Sequence, residues 1–168
     1  MCTFHIAVNF FTLKTQNLEF PRLQATVIQQ DLRKVGIELD VRAYEFATMY
    51  ADVLKGNFQL YSLQWVGGAM VDPDILRRVF HSSQTPPAGF NRGHYSNPEV
   101  DRLIDEASAA PDLDTRKRLY GAAQKIIADD APYISLWNRT NVAVAGPSIK
   151  GMALGPLAGF DALRNVSR

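Results

Sequence analysis

The sequence predicts an α/β fold, a mainly parallel sheet flanked by helices. Three observations carry that reading. Strand-like and helix-like segments alternate as β-α-β-α-β over residues 4–65. Glycine marks the tight connections after the two helices, at Gly36 and Gly56. Such alternation implies crossover connections between parallel strands, which are right-handed in nearly all cases.

Residues 4–11 (FHIAVNFF) are β-branched and aromatic and read as a buried strand. A polar loop is expected over residues 12–19. Pro21 then suits the first turn of a helix, where its missing N–H costs nothing. Leu23, Val27, Ile28, Leu32 and Val35 recur at helical spacing and are the expected inner face. In residues 37–43, Ile37, Leu39, Val41 and Ala43 alternate with polar positions, a strand signature. A second helix is expected over residues 46–55, with Tyr50, Val53 and Leu54 on one side, and a third strand over residues 57–65. Parallel strands end on one edge, and open α/β sheets bind ligands beyond their carboxyl ends. Those ends are expected near Phe11, Tyr44 and Trp65.

Beyond Trp65 the pattern changes. Residues 66–74 hold Gly67-Gly68 and a helix start in which Asp72 is the cap and Pro73 the first helical residue. Ile75, Leu76, Val79 and Phe80 make a short amphipathic helix. Residues 81–97 read as a long loop, a feature that is often functional. Asn97-Pro98 repeats the cap-then-proline start, and Val100, Leu103, Ile104 and Ala107 form a buried stripe. After a break at Ala110-Pro111, Asp114 is the expected cap of a helix over residues 115–129, with Leu119, Ala123, Ile126 and Ile127 inside. Residues 133–137 and 140–145 read as strands, and the tail from Gly146 offers one more candidate at residues 149–154.

Composition narrows the function. The chain has 168 residues, 46% apolar and 21% charged, the balance of a globular domain. Its 18 basic and 17 acidic residues leave a net charge of +1, without the basic excess of a nucleic-acid surface. Arg116, Lys117 and Arg118 read as a solvated helix face. The single cysteine, Cys2, allows no internal disulfide. No segment approaches a membrane span or a signal peptide.

No catalytic signature is present. His5, His81 and His94 lack the close spacing of a zinc site, so no metal and no cofactor is expected. Gly-x-Ser-x-Gly and Ser-x-x-Lys are missing, and Gly67-Gly68 lacks the Lys-Ser/Thr of a phosphate loop. The enzyme alternative is a small hydrolase using His81 or His94 with Asp72 or Asp74. Trp65 is the stronger feature. A tryptophan closing a strand before two glycines sets a flat apolar surface beside open backbone, which suits a ligand of mixed polarity. A core tryptophan beside a tight turn explains the same pattern.

The run Gly56-Asn57-Phe58-Gln59-Leu60, then Trp65-Val66-Gly67-Gly68, then Asp72-Pro73-Asp74, resembles the family 5 extracellular solute-binding proteins, which serve ABC importers of peptides, nickel and related solutes. The resemblance continues through Phe80-His81-Ser82, Asn91-Arg92-Gly93-His94-Tyr95, Asn97-Pro98-Glu99-Val100-Asp101 and Ala131-Pro132-Tyr133-Ile134, and covers nearly the whole chain. It implies one lobe of a type II periplasmic-binding-protein-like fold. Residues 1–145 correspond to the C-terminal (second) lobe and residues 146–168 to a tail that returns to the first lobe. The chain is accordingly expected to be a fragment that lacks its N-terminal lobe. Its implied partners are a peptide or other small solute and an ABC permease in the membrane, with self-association of the lone lobe as a further expectation. The implied location is periplasmic or extracytoplasmic, with membrane anchoring open for the full-length protein. The implied ligand-binding set is Tyr44, Trp65, Val66, Gly67, Gly68, Asn91 and Arg92. Peptide-binding members carry an Asp three residues after the Trp, paired with the ligand's amino group; Gly68 stands there in this chain and removes that charge-assisted contact. Arg92 is open between meeting an anionic group and lying solvated in its loop.

Overall fold

The computed structural model describes residues 9–65, 73–138, 140–155 and 159–168. Its first half is β1 (Asn9–Gln16), α1 (Glu19–Lys34), β2 (Ile37–Tyr44), α2 (Phe46–Leu54) and β3 (Leu60–Tyr61). The three strands are parallel and lie in the order β2-β1-β3. Strand order therefore reverses at β1, which creates a switch point between β1 and β3. Open α/β sheets place ligands outside the strand ends at such points.

β1 pairs with β2 along its whole length, from Asn9↔Ile37 to Gln16↔Tyr44. Residues 12–16, expected as loop, are thus the second half of a strand. The reason is visible in its two faces. Leu13 and Thr15 are buried on one side. Lys14, between them, directs its ammonium to Asp52 of α2, 2.6 Å away. A lysine and a threonine read as polar punctuation, yet both sit inside the sheet layer. The carboxyl end of β1 is consequently Gln16 and not Phe11, and both Phe10 and Phe11 are exposed. Residues 4–8 and the Gly-Gly loop lie outside the described residues. β3 is also shorter than expected: only Leu60 and Tyr61 pair with β1, and the Ser62 N–H extends the ladder to the Lys14 carbonyl.

α1 covers the Leu13 face of the sheet. Ala25 is fully buried there against Leu13 and Leu39, with Ile28, Leu32 and Val41 packed around them. Gln29 donates to the Leu39 carbonyl at 2.6 Å and ties helix to strand. Leu23, Val27 and Val35, expected on the inner face, are exposed. α1 is apolar on two sides, and the side that carries the small Ala25 is the one that lets the helix approach the sheet. Gly36 closes α1 at φ 81°, a left-handed conformation that costs glycine little. On α2 the buried pair is Met49 and Val53, one turn apart. Tyr50 is turned aside from that face.

The second half is helical. α3 (Ile75–Phe80) leads through a 3-10 turn at Ser82–Gln84 and a long loop to α4 (Pro98–Ala109) and α5 (Leu113–Asp130). α4 and α5 share a core of Val100, Leu103, Ile104, Ala107, Leu119, Tyr120, Ala123 and Ile127. Every residue of the expected α4 stripe is in it. Asn97 caps α4, its side chain accepting from the Glu99 and Val100 N–H groups. Asp112, and not Asp114, caps α5 and accepts from the Thr115 N–H at 2.8 Å. A capping oxygen must reach the second or third N–H of the helix, and the earlier start places Asp112 there.

The expected strands at 133–137 and 140–145 do not form a ladder among the described residues. Ile134, Val142 and Val144 are almost fully exposed. Their β-branched side chains favour extended backbone, but strand formation needs a paired neighbour and a face to bury. In the tail, Lys150 and Ser167 form one isolated antiparallel bridge where a strand over residues 149–154 was expected. No helix among the described residues is long and apolar enough to cross a membrane.

Candidate functional site

The carboxyl edge of the sheet is made by Gln16, Tyr44 and Tyr61, with residues 62–65 continuing past β3 to Trp65. Trp65 is 44% exposed, so it is not a core residue. One face of its ring rests on Arg92. The guanidinium carbon lies 4.9 Å from the Trp65 ring centre, 5.1 Å from that of Tyr50 and 5.2 Å from that of Phe90. Phe90 meets Trp65 edge-on at 5.5 Å. The Arg92 side chain donates from Nη2 to the Tyr50 hydroxyl at 3.1 Å.

Arg92 is only 6% exposed, which removes the reading of a solvated loop arginine. Its Nε–H is buried without an acceptor, and among the described residues no carboxylate forms an ion pair with it. Removing an ion from water costs several kcal/mol. Three aromatic faces at about 0.5–2 kcal/mol each offset much of that cost. The result is a cation held in an aromatic cage, with part of its donor capacity unused.

The cage is positioned by the loop that carries Arg92. Asn91 is completely buried. Its Nδ2 donates to the His81 and Tyr95 carbonyls, and its Oδ1 accepts from the Tyr95 N–H. The Phe90 N–H donates to the Arg78 carbonyl at 2.8 Å and the Asn91 N–H to that of Gln84 at 2.9 Å. Residues 81–97 are therefore a built element, despite the loop-like sequence. Tyr95, at its far end, donates to Asp130, and Asn97 donates to the same carboxylate. Burial, together with Asp130, pushes the Tyr95 hydroxyl up to about 12. Near Arg92, burial first and the Tyr133 hydroxyl second raise Tyr61 far above the ordinary phenol value, so it stays a neutral hydrogen-bonding group.

The expected site residues divide accordingly. Trp65 and Arg92 are brought together. Asn91 adjoins them but organises the loop from within, both N–H donors engaged. Tyr44 shares the sheet edge on β2, across β1 from Trp65, with its ring 5.7 Å from the Lys14 ammonium. Val66, Gly67 and Gly68 lie outside the described residues, as does Asp72. The sequence offered Tyr50 only as a helix-face residue and did not single out Phe90, because the cage closes over 42 residues between Tyr50 and Arg92. The one available signal was the run of aromatics flanking Asn91-Arg92.

The histidine–aspartate pairing of a hydrolase is not assembled with Asp74. His81 is nearly buried and faces Asp101 at 3.8 Å and Asp105 at 3.5 Å. Its Nδ1 accepts from the Ser83 N–H, a local cap on the 3-10 turn. Asp74 faces Arg77 and Ser108 instead. His94 is exposed, at a positive φ of 52°.

Comparison with known proteins identifies a family. Residues 3–87 match the family described as bacterial extracellular solute-binding proteins, family 5 Middle. The chain is 32% identical over 133 residues to the probable D,D-dipeptide-binding periplasmic protein DdpA of Escherichia coli, covering 79% of this chain and 26% of that protein. It is 29% identical over 141 residues to the probable di/tripeptide-binding protein 5 of Pseudomonas aeruginosa, covering 84% of this chain and 27% of that one. The chain thus spans about a quarter of the length of these curated relatives. A putative peptide-binding protein AppA from Clostridium difficile superposes with a TM-score of 0.83 at 23% identity, over 96% of this chain and 34% of that structure.

Proposed function

The chain belongs to the family 5 bacterial extracellular solute-binding proteins, with the type II periplasmic-binding-protein fold, and from that premise we propose that it supplies one wall of the solute site of an ABC importer. The solute lies on the carboxyl edge between β1 and β3, against Trp65, and a second lobe closes over it. The closed complex then hands the solute to a membrane permease. No bond is made or broken. The solute is a peptide or a related small molecule, in line with the dipeptide- and tripeptide-binding relatives.

The observation that carries this reading is the half-exposed Trp65 ring at the switch point, fixed from below by Arg92. An aromatic anchor that is already oriented contributes contact area at little entropic cost. Hinged closure supplies the rest, because each lobe provides only part of the desolvated surface. The isolated 168-residue chain is therefore expected to bind peptides weakly. Submicromolar peptide binding to this chain alone, measured by isothermal calorimetry, would overturn the two-lobed reading. Joined to a first lobe, the protein is expected to bind saturably, and Trp65→Ala should weaken that binding at least tenfold, a loss of about 1.4 kcal/mol or more. Unchanged affinity in that variant would place the solute elsewhere.

A further inference from the structure

The charge at the Trp65 corner points to a class of solute. We propose that the bound solute presents a carboxylate, or an equivalent anionic group, to the corner formed by Trp65 and Arg92; this rests on the solute-binding reading above and narrows it.

Three features lead there. Arg92 is a permanent cation, since a guanidinium does not deprotonate in a protein. It is buried, with no ion-pair partner among the described residues. Lys14, the cation inside the neighbouring strand, is by contrast matched by Asp52 at 2.6 Å. The positive field at this end of the switch point is thus left for something else to neutralise.

The unused donor is the second feature. Arg92 satisfies one Nη2 donor on the Tyr50 hydroxyl, while Nε–H finds no acceptor. A guanidinium edge with a free N–H is suited to a carboxylate oxygen, and such charge-assisted bonds are about twice as strong as neutral ones. The third feature is Trp65 itself. The Arg92 charge lies 4.9 Å from the ring centre, so its field favours an anionic group over an ammonium beside the half-exposed ring. Burial in low dielectric lets the same charge act over several ångströms, so the first encounter needs no direct contact with Nε.

The test uses two probes of nearly one shape, N-acetylglycine and N-acetylglycinamide, titrated to millimolar concentration into the 168-residue chain. The readouts are the Trp65 indole N–H and Arg92 Nε–H resonances, with Trp137→Phe assigning the indole signals. The acid is expected to shift both signals with about tenfold greater apparent affinity than the amide. Arg92→Gln should abolish that preference, and Arg92→Lys should retain part of it. An equal response to acid and amide overturns the carboxylate assignment and leaves the solute-binding reading intact. A response to neither also overturns the carboxylate assignment, while the solute-binding reading is decided separately by the Trp65→Ala affinity of the protein joined to a first lobe. If Arg92→Gln does not fold, quenching of Trp65 fluorescence in the Trp137→Phe chain decides. Iodide should quench severalfold more than caesium relative to free N-acetyltryptophanamide, and equal quenching shows that the Arg92 charge is already neutralised within the protein and overturns the proposal.

Discussion

Asn91 sits in the middle of a segment whose sequence looks unstructured, and it holds that segment together. The three hydrogen bonds of its side chain all go to backbone groups, of His81 and Tyr95. Replacing it by alanine leaves those groups buried and unpaired, at about 1–3 kcal/mol for a lost partner of this kind. Asn91→Ala is therefore expected to lower stability by about 2–3 kcal/mol in urea titrations. It should also loosen the Arg92 cage, seen as a change in Trp65 fluorescence. A variant with unaltered stability would mean that the loop is held by other contacts. Arg92 illustrates the limit of reading residues singly. Its neighbours in sequence suggest a solvated loop, whereas its neighbours in space are Tyr50, Trp65 and Phe90.

Among the elements, the α4–α5 pair is the most self-sufficient. Its core was legible in sequence because Val100, Leu103, Ile104 and Ala107 lie on one helical face with few apolar residues elsewhere on α4. α1 was harder. It carries apolar residues on two faces, and periodicity alone does not choose between Leu23-Val27 and Ala25-Ile28-Leu32. β1 was misread for the opposite reason, since its interior positions include Lys14 and Thr15. The contrast between helices can be measured. Ile104→Ala removes a completely buried side chain and is expected to cost about 2–5 kcal/mol. Leu23→Ser, on a residue that is 62% exposed, should change stability by no more than about 0.5 kcal/mol. Comparable losses in both variants would mean that the outer face of α1 is also core.

Acid should act on the same elements. Arg77 first, and His81 to a smaller degree, hold the Asp105 carboxyl below its ordinary value of 3.8. The Thr115 N–H does the same for Asp112, and Tyr95 followed by Asn97 does so for Asp130. A carboxylate with a lowered folded pKa stabilises fully above its unfolded value, and that stabilisation fades as pH falls through the folded value. These groups are open to solvent, so each contribution is screened. The urea midpoint is expected to stay level as these groups remain ionised down to about pH 4 and to fall below it, less steeply in Asp130→Asn. A midpoint that starts to fall near pH 6 would implicate a histidine instead.

On the scale of the whole molecule, the described surface is unusually rich in large apolar side chains. Leu23, Val27, Ile134, Trp137, Val142 and Val144 are all at least half-exposed. Residues 133–138 and 140–145 have strand-like side chains with no strand to join among the described residues, which is why the sequence read as strands there and the structure does not. Pairing of that kind depends on what lies alongside, which no local pattern records. Surfaces of this character drive association. The 168-residue chain alone is expected to form dimers or larger species as its concentration rises, as read by light scattering. A strict monomer across the range would count against that expectation. The parallel order was legible from alternation and glycine placement, and the type II fold from the family resemblance; the cage was not, because it is assembled from three separate stretches of chain.

Lys14 bears on how the fold avoids error. β1 is flanked on both sides by parallel partners, and a slip of one residue against β2 would preserve nearly every backbone hydrogen bond. It would also invert the strand. The ammonium of Lys14 would then press into the layer of Ala25, Ile28 and Leu32, and Leu13 would face Asp52. The 2.6 Å pair between Lys14 and Asp52 forms only in the native alignment. One charged residue in the middle of the central strand thus acts as a proofreading mark, making the near-miss arrangement costly where the hydrogen-bond ladder alone would tolerate it.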